Sequence, residues 1–101
     1  MEELQLFIKT LMLEAGFAPE QLFDEEIDNA TEILIDRLST EILIKLNEDD
    51  KDIFVELVNN NETLDQAFGF AEMKMSNFKQ FMQEKMAEFR LEYLEGMSKK
   101  S

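Results

Sequence analysis

The 101-residue chain has no cysteine, no histidine and no tryptophan. Without cysteine there is no disulfide staple, no thiolate metal site and no thiol nucleophile. Without histidine the chain lacks the usual neutral-pH general base and the commonest transition-metal ligand. Nothing in the cysteine usage asks for an oxidising compartment. Proline occurs once and glycine three times, so the chain has few built-in places to turn. Apolar runs such as Ile33-Leu34-Ile35 are far shorter than the roughly 20 residues a bilayer span requires. The Met1-Glu2-Glu3 start is the reverse of a basic signal-peptide start, and a cytoplasmic location is expected.

Basic residues are also scarce. Ten lysines and arginines face 23 aspartates and glutamates, for a net charge of −13. Such a surface repels phosphate backbones and anionic lipid, so neither direct nucleic-acid binding nor membrane binding is expected. The imbalance is uneven. Residues 1–73 hold 19 acids and 4 bases, a net of −15, whereas residues 74–101 hold 4 acids and 6 bases, a net of +2. The last part of the chain is thereby expected to find an electrostatic partner in the rest of it, or in another copy.

What is present is apolar and helical in rhythm. Hydrophobic residues make up 45% of the chain, enough for a packed core. The length suits one domain, expected over residues 1–96 with a short tail at 97–101. Leu4, Ile8, Leu11 and Ala15 recur at helical spacing, and Gly16 stands where a left-handed C-terminal cap belongs. After Pro19, a long second helix is expected from an Asp24 cap to about Leu46, with Ile27, Thr31, Leu34, Leu38 and Ile42 as its main stripe. Asn47 caps a third helix with an apolar face of Ile53, Phe54, Leu57 and Val58, ending at Asn59-Asn60-Asn61. A short fourth helix begins near Thr63 and contains Gly69, where close packing against another helix is expected to offset the cost of glycine. A fifth, capped by Ser76 or Asn77, carries Phe78, Met82, Met86, Phe89 and Tyr93 along one side and is expected to stop at Gly96, with Lys99 and Lys100 near its negative end. No stretch alternates with period two. The fold class is all-α, a compact five-helix domain with long second and fifth helices.

Two features could carry function. The first is carboxylates four residues apart, which share one face of a helix. Asp24, Asp28, Glu32 and Asp36 form such a row on the second helix, Glu48, Asp52 and Glu56 on the third, and Glu84, Glu88 and Glu92 on the fifth. Solvated faces opposite the apolar stripes account for such rows most simply. The sharper alternative is an acidic docking face, formed by the first two rows, for a basic protein surface. In that reading the chain is a nucleic-acid mimic or decoy. A third reading is a carboxylate-based binder of calcium or magnesium, the only ions suited to an all-oxygen donor set. However, Asn47-Glu48-Asp49-Asp50-Lys51-Asp52 lacks the glycine of a calcium-binding loop, and the Glu-x-x-His pair of di-iron bundles is impossible here. No metal site and no cofactor is expected. An enzyme is not expected either, because serines and threonines have no histidine to activate them and no glycine-rich phosphate loop occurs.

The second feature is surplus apolar residues. Nine phenylalanines and seven methionines are many for this length, and Met73, Met75, Met82, Met86 and Met97 gather near the end. Methionine adapts its shape and recurs on promiscuous binding surfaces. Leu6 and Leu13 lie on the back of the first helix, Ile33 and Ile44 off the stripe of the second, and Leu91 and Leu94 on the back of the fifth. A domain of this size cannot bury every helix face. These six residues are therefore the expected interface with a protein partner or a second copy. A non-enzymatic protein-interaction module, self-associating as a homodimer through surplus apolar helix faces, is the expected function.

The order of Phe7, Gly16, Pro19, Arg37-Leu38, Leu46 before an acidic cap, Glu56-Leu57, Asn77-Phe78 and Phe89-Arg90 resembles a small helical family of unknown function from candidate-phyla bacteria of reduced genome. The resemblance runs over residues 4–96. Ser76 stands where that pattern has proline, and Arg90 where it has lysine. It implies a compact helical domain of bacterial origin and no assigned activity or site residue.

Overall fold

The computed structural model describes residues 2–100, apart from the side chains of residues 61 and 97–100. Five α-helices and no strand occur among them: α1 (Glu2–Glu14), α2 (Asp24–Lys45), α3 (Glu48–Val58), α4 (Leu64–Lys74) and α5 (Phe78–Lys100). Short 3-10 turns at Pro19–Gln21 and Asn61–Thr63 lie between them. The all-α class and the two long helices agree with the sequence pattern.

Local chemistry sets most of the boundaries. Gly16 ends α1 with φ of +103°, the left-handed region that glycine enters without a Cβ clash. Its N–H reaches the Leu13 carbonyl at 3.1 Å, and the Phe17 N–H reaches Met12 at 3.1 Å. This paired pattern satisfies carbonyls that α1 would otherwise leave open, and Phe17 folds back on the core. Asn47 caps α3 by accepting the Asp50 N–H at 2.9 Å. At α2, Phe23 occupies the cap position with no side-chain bond, and Asp24 is instead the first helical residue, where its charge suits the positive end of the dipole. Asn77 opens α5, since its carbonyl accepts the Phe81 N–H at 3.0 Å.

Gly96 does not end α5, which continues to Lys100, into the segment expected as a tail. Its φ is not in the positive range that Gly16 adopts. Phe17 supplies an apolar anchor just beyond Gly16, but the segment beyond Gly96 is mostly polar, Ser98-Lys99-Lys100. The side chains of Met97, Lys99 and Lys100, and all of Ser101, lie outside the described residues.

The core runs along α2. Ile27, Thr31, Leu34, Leu38 and Ile42 are all buried, as the stripe predicts. The Thr31 hydroxyl donates to the Ile27 carbonyl at 2.7 Å, so the one threonine of the stripe is satisfied. Leu4, Ile8, Leu11 and Met12 of α1 meet this stripe, as do Phe81 and Phe89 of α5. The α3–α4 pair folds as an antiparallel hairpin, with Lys74 at its end 3.7 Å from Asp50 at its start. Phe54 of α3 is fully buried and meets Phe68 of α4 edge-on, with ring centroids 6.4 Å apart. Ile53 departs from expectation: it stands on the outer side of α3, because only the Phe54 side of that short helix turns inward.

Lys85 and Arg90, two bases in the last part of the chain, find acidic partners within the molecule. Lys85 of α5 lies 3.4 Å from Glu41 of α2, Arg90 pairs with Glu14 of α1, and Arg37 of α2 pairs with Glu92 of α5. These contacts run α2 and α5 antiparallel. Principal extents of 45 × 25 × 19 Å and a radius of gyration of 14.6 Å make the domain elongated, against about 13 Å for a sphere-like chain of this length. An elongated shape leaves helix flanks uncovered.

Candidate protein-interaction surfaces

Five of the six expected interface residues are exposed. Leu6, Leu13, Ile33, Ile44 and Leu91 stand on the surface, with Ile44 at 67% of full exposure. Leu94 is the exception: it is half-buried against the core, one turn after Arg90, whose pairing with Glu14 turns that side of α5 toward α1. Phe23, Val55 and Met73 are also exposed and were not singled out by spacing. Met73 lies near the end of a short helix and Phe23 in a connection, where periodicity carries little signal.

Ile33 lines a shallow groove of about 300 Å³ between α2 and α5, with Ala30, Phe89 and Tyr93. The Arg37–Glu92 pair closes one side of it, and the Arg37 guanidinium lies 5.9 Å from the Phe89 ring centroid. Leu6, Leu13, Ile44 and Leu91 line none of the described grooves.

A larger groove, about 470 Å³, lies where α1, α4 and α5 meet. Leu4 and Phe68 form its buried floor, and Phe78, Met82 and Met86 are half-buried in its wall. Glu3, Asp65 and Glu72 stand on its rim. Gly69 opens into this groove. Close packing does not explain that glycine: it is exposed, and a Cβ placed there meets nothing within 4 Å. Its φ is ordinary for a helix. The sequence marked the position correctly but for the opposite reason, since an uncompensated helical glycine costs about 1 kcal/mol relative to alanine.

The acidic face is exposed throughout. Asp24, Asp28, Glu32 and Asp36 on α2, and Glu48, Asp52 and Glu56 on α3, all face solvent. Asp28 accepts a 3.2 Å hydrogen bond from Gln5, and Glu48 lies 3.6 Å from Lys51. Among the described residues no three carboxylates come close enough to hold a metal ion. Asp36 alone of the α2 row reaches a groove, about 240 Å³, against Val55, Val58 and Asn59 of α3. Ser39 lines the same groove, and its buried hydroxyl has no partner. Rotation toward the carbonyl four residues back, the bond that Thr31 and Thr40 make on the same helix, would satisfy it.

The groups with shifted proton affinity belong to helix contacts. The hydrogen bond from Arg90 holds the Glu14 carboxyl below its usual range, against a smaller opposing desolvation, and the same pair raises Arg90. Desolvation lowers Lys85, but its hydrogen bonds and attraction to Glu88 and Glu41 outweigh this and leave it raised. Burial raises the Tyr93 phenol, and the charge of Glu26 adds to the effect.

Among the described residues no helix is long and apolar enough to cross a membrane. Comparison with protein-family models, with curated proteins and with solved structures finds no match.

Proposed function

We propose that this chain is a non-enzymatic protein-interaction module of the cytoplasm, able to associate with a protein partner or with a second copy of itself. The observation that carries the reading is the set of large apolar side chains left outside a closed core. Leu6, Leu13, Ile33, Ile44 and Leu91 are exposed while the α2 stripe beneath them is fully buried. Grouped apolar exposure signals an interface, and five such side chains on three helices of so small a domain supply candidate area for one. The acidic surface keeps such a chain dispersed and steers partners of opposite charge.

Sedimentation velocity tests the self-association. In about 1 M salt, where the Debye length falls to roughly 3 Å, apolar association persists and charge pairing is lost. Serine at Leu6, Leu13, Ile33, Ile44 and Leu91 together leaves the helical spectrum intact and abolishes association. A strict monomer at every concentration removes the second-copy half of the proposal.

The exposed carboxylate rows favour a second reading, an acidic decoy for a basic protein surface. Four-residue spacing sets successive charges about 6 Å apart along α2. Binding of that kind disappears in the same high salt, which separates the two readings.

A further inference from the structure

We infer that the groove between α1, α4 and α5 receives a basic amphipathic helix from a partner protein. The inference rests on the interaction-module reading and gives it a site and a partner chemistry.

The groove has the two elements such a ligand needs. Its interior is apolar, with Phe78, Met82 and Met86 half-buried over Leu4 and Phe68. Unbranched methionines can repack around the side chains that enter, and helical ligands present such anchors at successive turns. Its rim is acidic: Glu3 on one side and Asp65 and Glu72 on the other, with Lys79 the single cation among its lining residues. A helix with lysines flanking its apolar stripe matches both parts, and the matching charges set its orientation.

Gly69 supplies the access. It is exposed in mid-helix, no neighbour requires its small size, and its backbone does not require its freedom. What the missing side chain leaves is open space at the groove wall. Any larger residue there projects into the volume a ligand helix would fill.

Charge selects against the other occupants. A second copy carries a net charge of −13 and meets an acidic rim. Of its ten cationic residues, Lys85 and Arg90 are moreover engaged with Glu41 and Glu14. A nucleic acid meets carboxylates where it needs cations.

The test is fluorescence anisotropy with a labelled peptide of about 18 residues, five helical turns, having leucines on one face and lysines on the other. A scrambled peptide of identical composition is the control. The amphipathic peptide is expected to bind at least about tenfold more tightly than the scrambled one. Gly69→Leu is expected to weaken binding about tenfold while leaving the thermal midpoint unchanged or raised, so that the loss is not unfolding. Asp65→Lys with Glu72→Lys weakens it similarly, and Ile33→Ser in the other groove leaves it unchanged. Equal affinity for the two peptides overturns the proposal, as does full affinity in Gly69→Leu. If Ile33→Ser abolishes binding and Gly69→Leu does not, this groove is the wrong site and the interaction-module reading stands. If neither peptide binds, the groove proposal fails by itself, because sedimentation of the whole chain judges the wider reading separately.

Discussion

Alanine at two glycines should change stability in opposite directions. Gly69 has ordinary helical φ, and a Cβ there meets no atom within 4 Å. Gly69→Ala therefore recovers the helix-propensity difference, about 0.8–1.0 kcal/mol, with no steric cost. Gly16 is equally uncrowded but holds φ at +103°. Alanine there carries the left-handed penalty of about 1–2 kcal/mol, and space around it gives no relief. For a domain near 100 residues, 1 kcal/mol moves the thermal midpoint by about 4–8 °C. Circular dichroism at 222 nm should show Gly69→Ala melting higher than the parent by about that amount, and Gly16→Ala lower. Urea midpoints should move the same way with unchanged slopes. Destabilisation by Gly69→Ala would refute the reasoning, since it would mean that the glycine is held by a tight helix crossing and that no open groove lies beside it.

Phe54→Ala should cost about 3–5 kcal/mol in urea unfolding, because the ring is fully buried against Phe68, and a loss under 1 kcal/mol would place Phe54 outside the core. Asn47→Ala removes the bond to the Asp50 N–H and should cost about 1 kcal/mol by the same assay. Tyr93 is the only tyrosine and tryptophan is absent, so tyrosinate absorbance reports that phenol alone. Its midpoint in the folded chain should lie above the unfolded value of about 10 and return to it in urea. Because the folded pKa is the higher one, the stabilisation is complete below the unfolded value and is lost as pH rises through the folded one. Glu26→Gln should reduce the shift without abolishing it, since burial is the larger cause. Glu14 has the opposite sign: its lowered pKa gives a contribution present above the unfolded value and lost as pH falls through the folded one, and Arg90→Gln should remove that dependence in acid unfolding curves.

The parts of the fold that local chemistry controls were legible. The α2 stripe, the Gly16 cap and the Asn47 cap each need only neighbouring residues, and each stands where the pattern placed it. What failed depends on distant partners. Ile53 and Phe54 are adjacent apolar residues on α3, and only the docking of α4 decides which of them turns inward. Phe81 lies off the expected stripe of α5 but is buried, because α5 meets more than one neighbour and so buries a wider arc. Leu94 moves into the core edge for the same reason. Gly96 and Gly16 look alike in sequence, but only Gly16 precedes an aromatic residue that packs back on the core. Exposure of Leu6, Leu13, Ile33, Ile44 and Leu91 followed from their distance from the stripes. The α1–α4–α5 groove did not, since it is assembled from three separate segments, and its one local trace was a helical glycine.

The central claim, that an acid-rimmed apolar groove takes a basic helix, is tested most directly by amide NMR during titration with the amphipathic leucine–lysine peptide. Saturable shifts are expected to centre on Leu4, Gly69, Phe78, Met82 and Met86. Shifts that centre instead on Asp24, Asp28, Glu32 and Asp36, and vanish with added salt, would contradict it.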